Sequence, residues 1–548
     1  MTDVERQTEG WNTLPWAEFQ RNVFRLQKRI YQASLRDDFK CVHNLQRLLL
    51  RSYSARCLAV RQVSQENRGK RTPGVDGVAS LTPIQRMEMV EKLQDLHSKP
   101  SPIRRVYIPK PNSEELRPLG IPVMFDRALQ ALVKLALEPE WEAKFEPNSY
   151  GFRPGRAAHD AMDAIFLATR KKPKYVLDAD IEKCFDKINH EILLTKLSTI
   201  PVIESLVGGW LKAGILENGE TLYPEAGTPQ GGVASPLLAN IALHGLETAL
   251  VTSLPQRQKP SIIRYADDFV ILHEDLETLY RLKEDAEKWL EQIGLRLKPS
   301  KTRITHTLHA HNNNIGFDFL GFTVRQFPVG KHRTKKYRGK AWFKTLIKPS
   351  KTGQQRHMEA MRQVIHKHRG NSQAVLIVEL NRKIRGWAMY YRGSVAKRIF
   401  SRLDHQMFLK LCTWAVYRHS SRSRQWLKQR YWQRLRDRND FSDGHNTLVK
   451  YADVKIVRHV KVRGSKSPFD GDWTYWVPRL GQDPTKPDRV VKLLKRQNGR
   501  CSHCNLHFMA DDIIEVHHKN GNRRINMLYN LVLLHGHCHD EVHAARCL

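Results

Sequence analysis

Hydrophobic positions along this chain change period several times, and each change marks an element. Residues 104–109 and 116–122 (RRVYIP and LRPLGIP) read as two strands joined by a polar turn. Residues 174–181 (KYVLDADI) form an apolar strand running into acidic residues, and 227–237 (GTPQGGVASPL) form a glycine-rich loop that opens an apolar helix. In residues 261–272 (SIIRYADDFVIL) two apolar strands flank a short turn that carries Asp267 and Asp268. A basic stretch follows at 326–340, where Lys331, Arg333, Lys335, Lys336, Arg338 and Lys340 lie among glycines and a proline, as in a solvated loop or hinge. Helical periodicity resumes after Thr352, whereas 441–488 shows no clear period.

Two ionised carboxylates side by side on a turn repel each other, so Asp267 and Asp268 imply a cation or a strong hydrogen-bond network. A Tyr-x-Asp-Asp string is a weak signal by itself, because Asp-Asp is usually a solvated turn. Order along the chain strengthens it: the acidic strand, the Gly-Gln loop and the Asp-Asp hairpin together resemble the palm of reverse transcriptases. Alternation does not choose among the upstream acids, since Asp178 and Asp180 share a strand face. The resemblance selects Asp180, which has the family's aromatic, Phe185, five residues on. It implies that Asp180, Asp267 and Asp268 hold two Mg²⁺ ions about 3.5–4 Å apart, and that Phe185 packs on the incoming sugar so that deoxynucleotides (dNTPs) are the substrates. Lys110, Arg117 and Gln230 join the implied nucleotide-binding set, with Lys301 placed to protonate pyrophosphate. Residues 148–156 and 316–322 resemble the template-side block and the primer grip. Asp186 reads as a helix N-terminal carboxylate or ion-pair partner.

The chain's 548 residues leave room for about three to four domains. With 91 Lys and Arg against 56 Asp and Glu, its formal charge of +35 selects a polyanion, and nucleic acid leads. No apolar run is long enough to span a membrane and no lipidation signal is present. The polar amino terminus is unlike a secretory leader, so a cytoplasmic protein is expected. Of the eight cysteines, Cys41, Cys57, Cys184 and Cys412 are scattered and expected to be reduced.

Residues 380–392 resemble domain X, the maturase thumb of group II intron proteins. Downstream, Trp414, Tyr417, Trp426, Tyr431 and Trp432 alternate with arginines, a pattern suited to stacking on unpaired bases and contacting phosphates. Arg385, Arg392, Arg418, Arg422, Arg424, Lys428 and Arg430 are the expected RNA contacts; Trp387, Trp414 and Tyr391 read as core. Tyr451-Ala452-Asp453 echoes the catalytic turn but lacks a second aspartate, and reads as coincidence.

The last fifty residues carry a second chemistry. Cys501-x-x-Cys504 and His535-x-x-Cys538 are two ligand pairs of the spacing that binds one structural Zn²⁺; relatives usually have cysteine where His535 stands, and His503, His507 and His537 are less well placed. Interleaved with them are Glu515-Val516-His517-His518, Asn530 and His539-x-x-x-His543. These resemble the HNH nuclease motif, which implies that His517, His539 and His543 hold a divalent ion, that His518 is the general base, and that Asn530 orients it.

Together the resemblances span nearly the whole chain and are those of a bacterial-type group II intron-encoded protein. The implied fold is α+β and multidomain: right-hand reverse transcriptase fingers and palm over 1–345, an α-helical thumb over 346–440, a DNA-binding region over 441–490 and a small ββα-metal HNH domain over 491–548. The implied functions are RNA-directed DNA polymerase, intron splicing maturase and DNA-nicking endonuclease in target-primed reverse transcription (retrohoming). Intron RNA in a ribonucleoprotein, duplex and single-stranded target DNA and dNTPs are the implied partners. Two competing readings are an RNA-folding cofactor with a vestigial polymerase and a cellular reverse transcriptase repurposed for defence. The complete acidic set weighs against the first, and the basic aromatic thumb with an HNH tail against the second.

Overall fold

The computed structural model describes residues 10–109, 115–329, 343–435 and 437–544. Three helices, Trp16–Ser34, Phe39–Arg51 and Tyr53–Arg61, pack on the long helix Met124–Lys144. Local chemistry sets their starts. The Asp38 carboxylate accepts from Cys41 N at 3.0 Å and the Ser52 hydroxyl from Ala55 N at 3.4 Å, satisfying N–H groups that a helix start leaves without partners.

The strands Ile103–Pro109 and Leu116–Ile121 pair antiparallel, with Ile108 opposite Arg117. A second hairpin, Ile215–Glu217 with Glu220–Leu222, extends this sheet by adding its first strand in parallel. Three-residue strands carry too little period to be legible in the sequence.

The central sheet runs in the order Ser261–Tyr265, Asp268–His273, Tyr175–Asp180, Arg303–His306, all antiparallel. Leu177, Ala179, Phe269 and Ile271 enter the core beneath the N-terminal helices, while Val176, Ile263, Val270 and Leu272 enter a second core shared with the thumb. Burial on both faces explains why these strands read as continuous apolar runs.

Strands Phe317–Phe319, Phe322–Pro328 and Phe343–Pro349 form a third sheet. Its two-residue turn places Leu320 and Gly321 at φ +49° and +81°, the geometry of a primed hairpin turn. The expected boundary at 345/346 falls inside the strand Phe343–Pro349, after which the Ser350 hydroxyl caps helix Lys351–Lys367. Gln326, expected to open the basic loop, instead lies fully buried in a strand, where its amide bonds Thr307 Oγ1 and Thr169 O. Residues 330–342, most of that expected loop, lie outside the described residues.

Helices Lys351–Lys367, Gln373–Tyr391, Lys397–Arg418 and Arg424–Tyr431 make up the helical region expected to be the thumb. Its core continues past 440 through the hairpin Trp432–Leu435 and Arg438–Phe441 to Tyr451. Tyr451–Asp453 is a short 3₁₀ turn with Tyr451 buried and Asp453 paired to Arg438, quite unlike the Asp-Asp hairpin.

Residues 454–472, irregular apart from the 3₁₀ turn Pro468–Asp470, form a strap along helix Ala158–Thr169. Its anchor is Asp160, a buried carboxylate that accepts from Val462 N at 2.9 Å and His459 Nε2 at 3.1 Å and also pairs with Arg479. Burial opposes ionisation there, yet His459 and Arg479 hold this carboxyl below the usual carboxylate range. The tail comprises helix Asp488–Arg496, hairpin Ile514–His518 with Leu531–His535, and helix Gly536–Ala544 around Leu493, Leu494, Phe508, Leu531 and Leu533. It meets the N-terminal helices through Arg61–Asp540 at 2.9 Å and Gln20–Asp512 at 3.2 Å. Among the described residues no helix is long and apolar enough to cross a membrane.

Candidate active sites

Asp180 ends its strand directly opposite Asp268, and Asp267 lies in the two-residue turn between Tyr265 and Asp268. The three carboxylates therefore meet at one end of the central sheet. Burial, then Asp267 and Asp180 beside it, pushes Asp268 up to about 7; burial likewise raises Asp267. Neighbouring carboxylates that oppose one another's ionisation attract a cation. Lys301 Nζ contacts Asp180 Oδ2 at 2.6 Å. Asp178, on the same strand face, is occupied by Arg303 at 2.9 Å.

The turn is supported by residues the sequence did not bring forward. Ala266 sits at φ +58°, a conformation costly for a residue with a side chain. Arg264, 3 % exposed, donates to Ala266 O at 3.2 Å and Asn240 Oδ1 at 3.0 Å, and Asn240 Nδ2 donates to Gly151 O at 2.8 Å. A Cβ on Gly151 would lie 2.3 Å from Ala266 N, so only glycine lets the 148–156 loop close against the turn. The Gly151→Ala variant is expected to slow cDNA synthesis by about a hundredfold, the size of effect a misplacement near 1 Å produces, with RNA binding retained. Primer-extension rates set against filter binding check this.

Around these acids the glycine-rich loop is tied down by its backbone. Gly227 N donates to Ile188 O at 2.8 Å, Gly120 N donates to Gln230 O at 2.6 Å, and Gly231, at φ +117°, allows close approach to Gly120. Gln230 and Phe185 line one cavity of about 180 Å³ with Gly120 and Pro118, and the Phe185 ring meets Phe152 edge-on at 6.2 Å. Arg117 is exposed on its strand and near enough to Asp267 to favour that carboxylate's charge. Lys110 lies outside the described residues.

In the tail, one ligand atom from each of Cys501, Cys504, His535 and Cys538 falls within 4.8 Å of the others. His535 Nδ1 lies 3.3 Å from Cys504 Sγ and its Nε2 lies 3.2 Å from Asp512, the carboxylate-supported arrangement of a metal-ligating imidazole. Burial alone would lower His535, but Asp512 and the sulfurs lift it to about 11. The thiols share protons as closely packed sulfurs must: Cys504 and Cys538 pull Cys501 down, and Cys501 pushes Cys538 up. Three sulfurs and one nitrogen suit Zn²⁺.

His517, His539 and His543 form a second group with ligand atoms within 4.8 Å of one another. The two helix histidines face across 3.2 Å, and Glu515 braces His539 Nδ1 at 3.1 Å. His518 points to the other side of its strand, as alternation requires, with Nε2 at 3.3 Å from Asn526 Oδ1. Asn530 is buried and does not reach that ring; it bonds Asn520 N at 3.2 Å and Ile525 O at 2.9 Å, holding the loop after His518. His503 pairs with Glu541, and His507 stacks on Trp473.

On the thumb, Arg385, Arg422, Arg424, Lys428 and Arg430 are exposed. Arg392 is not: it is 2 % exposed, pairs with Asp488 at 2.6 Å and donates to Lys486 O. It is therefore an internal tie between thumb and tail, and the expectation that it contacts RNA is corrected. Arg418 covers Trp414 at 4.9 Å and donates to Arg369 O and Asn371 O, so much of its guanidinium is engaged within the thumb. Trp414 and Tyr391 are core, with Trp387 half-buried against them.

Residues 108–324 match the reverse transcriptase (RNA-dependent DNA polymerase) family, residues 11–93 the N-terminal domain of reverse transcriptase, and residues 354–432 the group II intron maturase-specific domain. Protein YkfC of Escherichia coli (strain K12) is 33% identical over 304 residues, covering 47% of this chain and 77% of that protein. The group II intron-encoded protein LtrA of Lactococcus lactis subsp. cremoris is 34% identical over 248 residues, 43% of this chain and 41% of LtrA. Maturase-like protein 1 of Euglena gracilis is 28% identical over 325 residues, 58% of this chain and 66% of its own. The stretch shared with LtrA is thus under half of that relative's length. An acidic trio at the end of the central sheet, a basic helical region and these matches lead to one assignment: the chain carries the reverse transcriptase and maturase-specific domains of group II intron proteins.

Proposed function

We propose that this protein copies RNA into DNA at Asp180, Asp267 and Asp268, assists splicing of an intron RNA held by its thumb, and nicks DNA with its carboxyl-terminal HNH module. The observation that carries the nuclease reading is the interleaving of two ligand groups, one sulfur-rich and one all-histidine, over one hairpin, the helix after it and the loop before it.

In the polymerase, Mg²⁺ held by the three aspartates would supply charge neutralisation at the reacting phosphate. The protein's own groups do the rest. Lys301 gives a proton to pyrophosphate, Arg117 and Lys110 draw the triphosphate in, and Phe185 with Gln230 walls the sugar so that a 2′-hydroxyl is excluded. In the tail, Zn²⁺ held by Cys501, Cys504, His535 and Cys538 would brace the hairpin, and a divalent ion at His517, His539 and His543 would polarise the scissile phosphate. His518 takes a proton from the attacking water at a ring nitrogen, and Asn530 keeps its loop in place. The strap and the residues up to 490 carry target DNA past the tail. The reaction sequence is second-strand nicking followed by extension of the new 3′-hydroxyl, that is, retrohoming by a cytoplasmic ribonucleoprotein of bacterial type.

Sequencing RNA that co-purifies with the full chain tests the central point. A single structured intron RNA should be enriched, and its affinity should fall by roughly 10³–10⁵ between 50 and 200 mM salt if many Lys and Arg neutralise phosphates. A mixture of unrelated cellular RNAs would overturn the maturase assignment for this chain.

A further inference from the structure

Where the tail docks on the N-terminal helices, a cavity of about 520 Å³ remains, large enough for a mononucleotide. Its charges are unevenly matched. Each acid at its wall already has a partner: Glu66 and Asp540 both pair with Arg61, Glu515 with His539, and Glu541 with His503. Three cations at the same wall, Lys70, Arg71 and Arg86, make no ion pair among the described residues, although Lys70 Nζ donates to Gln65 O at 2.5 Å and the Arg86 guanidinium lies 5.8 Å from the Trp11 ring centre. Arg86 is half-buried with its Nε without a hydrogen-bond partner. Opposite, the His537 ring is 6 % exposed, and its Nε2 is buried and unpartnered.

The carboxylates of the same cavity leave Arg86 Nε and His537 Nε2 buried without hydrogen-bond partners, and each such polar atom costs free energy. An oxyanion would relieve both. Neither residue set takes part in the polymerase trio or in either metal group, and the cavity lies between two modules rather than inside one.

We propose that this cavity binds a phosphate group, gripped by Arg71, Arg86 and Lys70 with a hydrogen bond to His537 Nε2. The phosphate belongs either to a free nucleotide or to the end of a nucleic-acid strand. The cavity volume admits one nucleotide, so a strand would enter by its terminus. The site stands independently of the nuclease reading, since it needs only the docked position of the tail.

The test is equilibrium binding to the full chain, without added Mg²⁺, of inorganic phosphate, a deoxynucleoside 5′-monophosphate, and a short oligodeoxynucleotide with a 5′-phosphate or a 5′-hydroxyl. Arg71→Glu, at an exposed position, and Arg86→Gln should each raise the Kd for inorganic phosphate by about tenfold or more, as loss of a charge-assisted bond does. Arg281→Glu, the same charge change on the exposed face of helix Leu276–Gln292, should alter it less than about twofold. Retained cDNA synthesis reports that the variants fold, and if Arg86→Gln does not fold, Arg71→Glu alone decides. Tighter binding of the monophosphate than of the 5′-phosphorylated strand identifies a nucleotide site; the reverse identifies a strand-end site. No saturable phosphate binding, or equal weakening by Arg281→Glu, would overturn the proposal.

Discussion

An Asp267→Asn protein is expected to lose cDNA synthesis by roughly a hundred- to a thousandfold or more on a primed RNA template, the scale on which a charge-stabilising group acts at a reacting centre. Asparagine preserves the shape of the turn but removes one of the three carboxylates that give the site its attraction for a cation. Because Arg264, Asn240 and Gly151 hold the turn through backbone atoms, the loss should be local, and RNA binding and splicing assistance should remain. The same change should stabilise the metal-free protein. Asp267 and Asp268 are both raised, Asp268 to about 7, so between the ordinary carboxylate range and that pH the native state keeps protons that the unfolded chain releases. Stability contributed by these groups therefore falls as pH rises through that window. Thermal unfolding at pH 5 and pH 7 should show a smaller difference in Asp267→Asn than in the parent. Loss of splicing at equal protein level would instead give the turn a structural role.

The second large effect concerns the tail. His518→Ala should abolish DNA nicking while zinc, splicing and primer extension persist, because His518 faces away from both ligand groups. His535→Ala should lose zinc and disorder the hairpin, since His535 ends the strand paired with Ile514–His518 and metal binding energy is folding energy in so small a module. His535→Cys should keep zinc, a thiolate being an equal donor at that place. Metal analysis and nicking of supercoiled DNA by the three purified proteins separate these outcomes, and stoichiometric zinc in His535→Ala would remove it from the ligand set.

Much of both sites could be read from the chain because their residues come in short, ordered strings. Asp267 and Asp268 are adjacent at one hairpin end, Cys501 and Cys504 share one loop, and His539 and His543 one helical turn, so spacing alone constrains where their side chains can point. The joining of distant strings came from order along the chain and a family resemblance, with no step of geometry linking Asp180 to Asp268.

Contacts between segments that are far apart in sequence remained hidden. Arg392 sits in a run whose helical period and basic composition suggest an exposed face, yet its partner Asp488 lies ninety-six residues on and draws the guanidinium inside. Gly151 looks like any loop glycine until Ala266 N is placed 2.3 Å from where its Cβ would be. The stretch 454–472 has no period because it follows helix Ala158–Thr169, with Asp160 satisfying Val462 N and His459, so its conformation is dictated by what it lies on. Local strings carry their own geometry in bond lengths and periodicity, and these the sequence determined by itself: strand and helix type, the acidic turn and the ligand pairs. Docking of the tail on the N-terminal helices, the buried ties of Arg264 and Arg392 and the cavity beside Arg86 were decided only by tertiary structure, because each is a match of shape and charge between surfaces that no local spacing encodes.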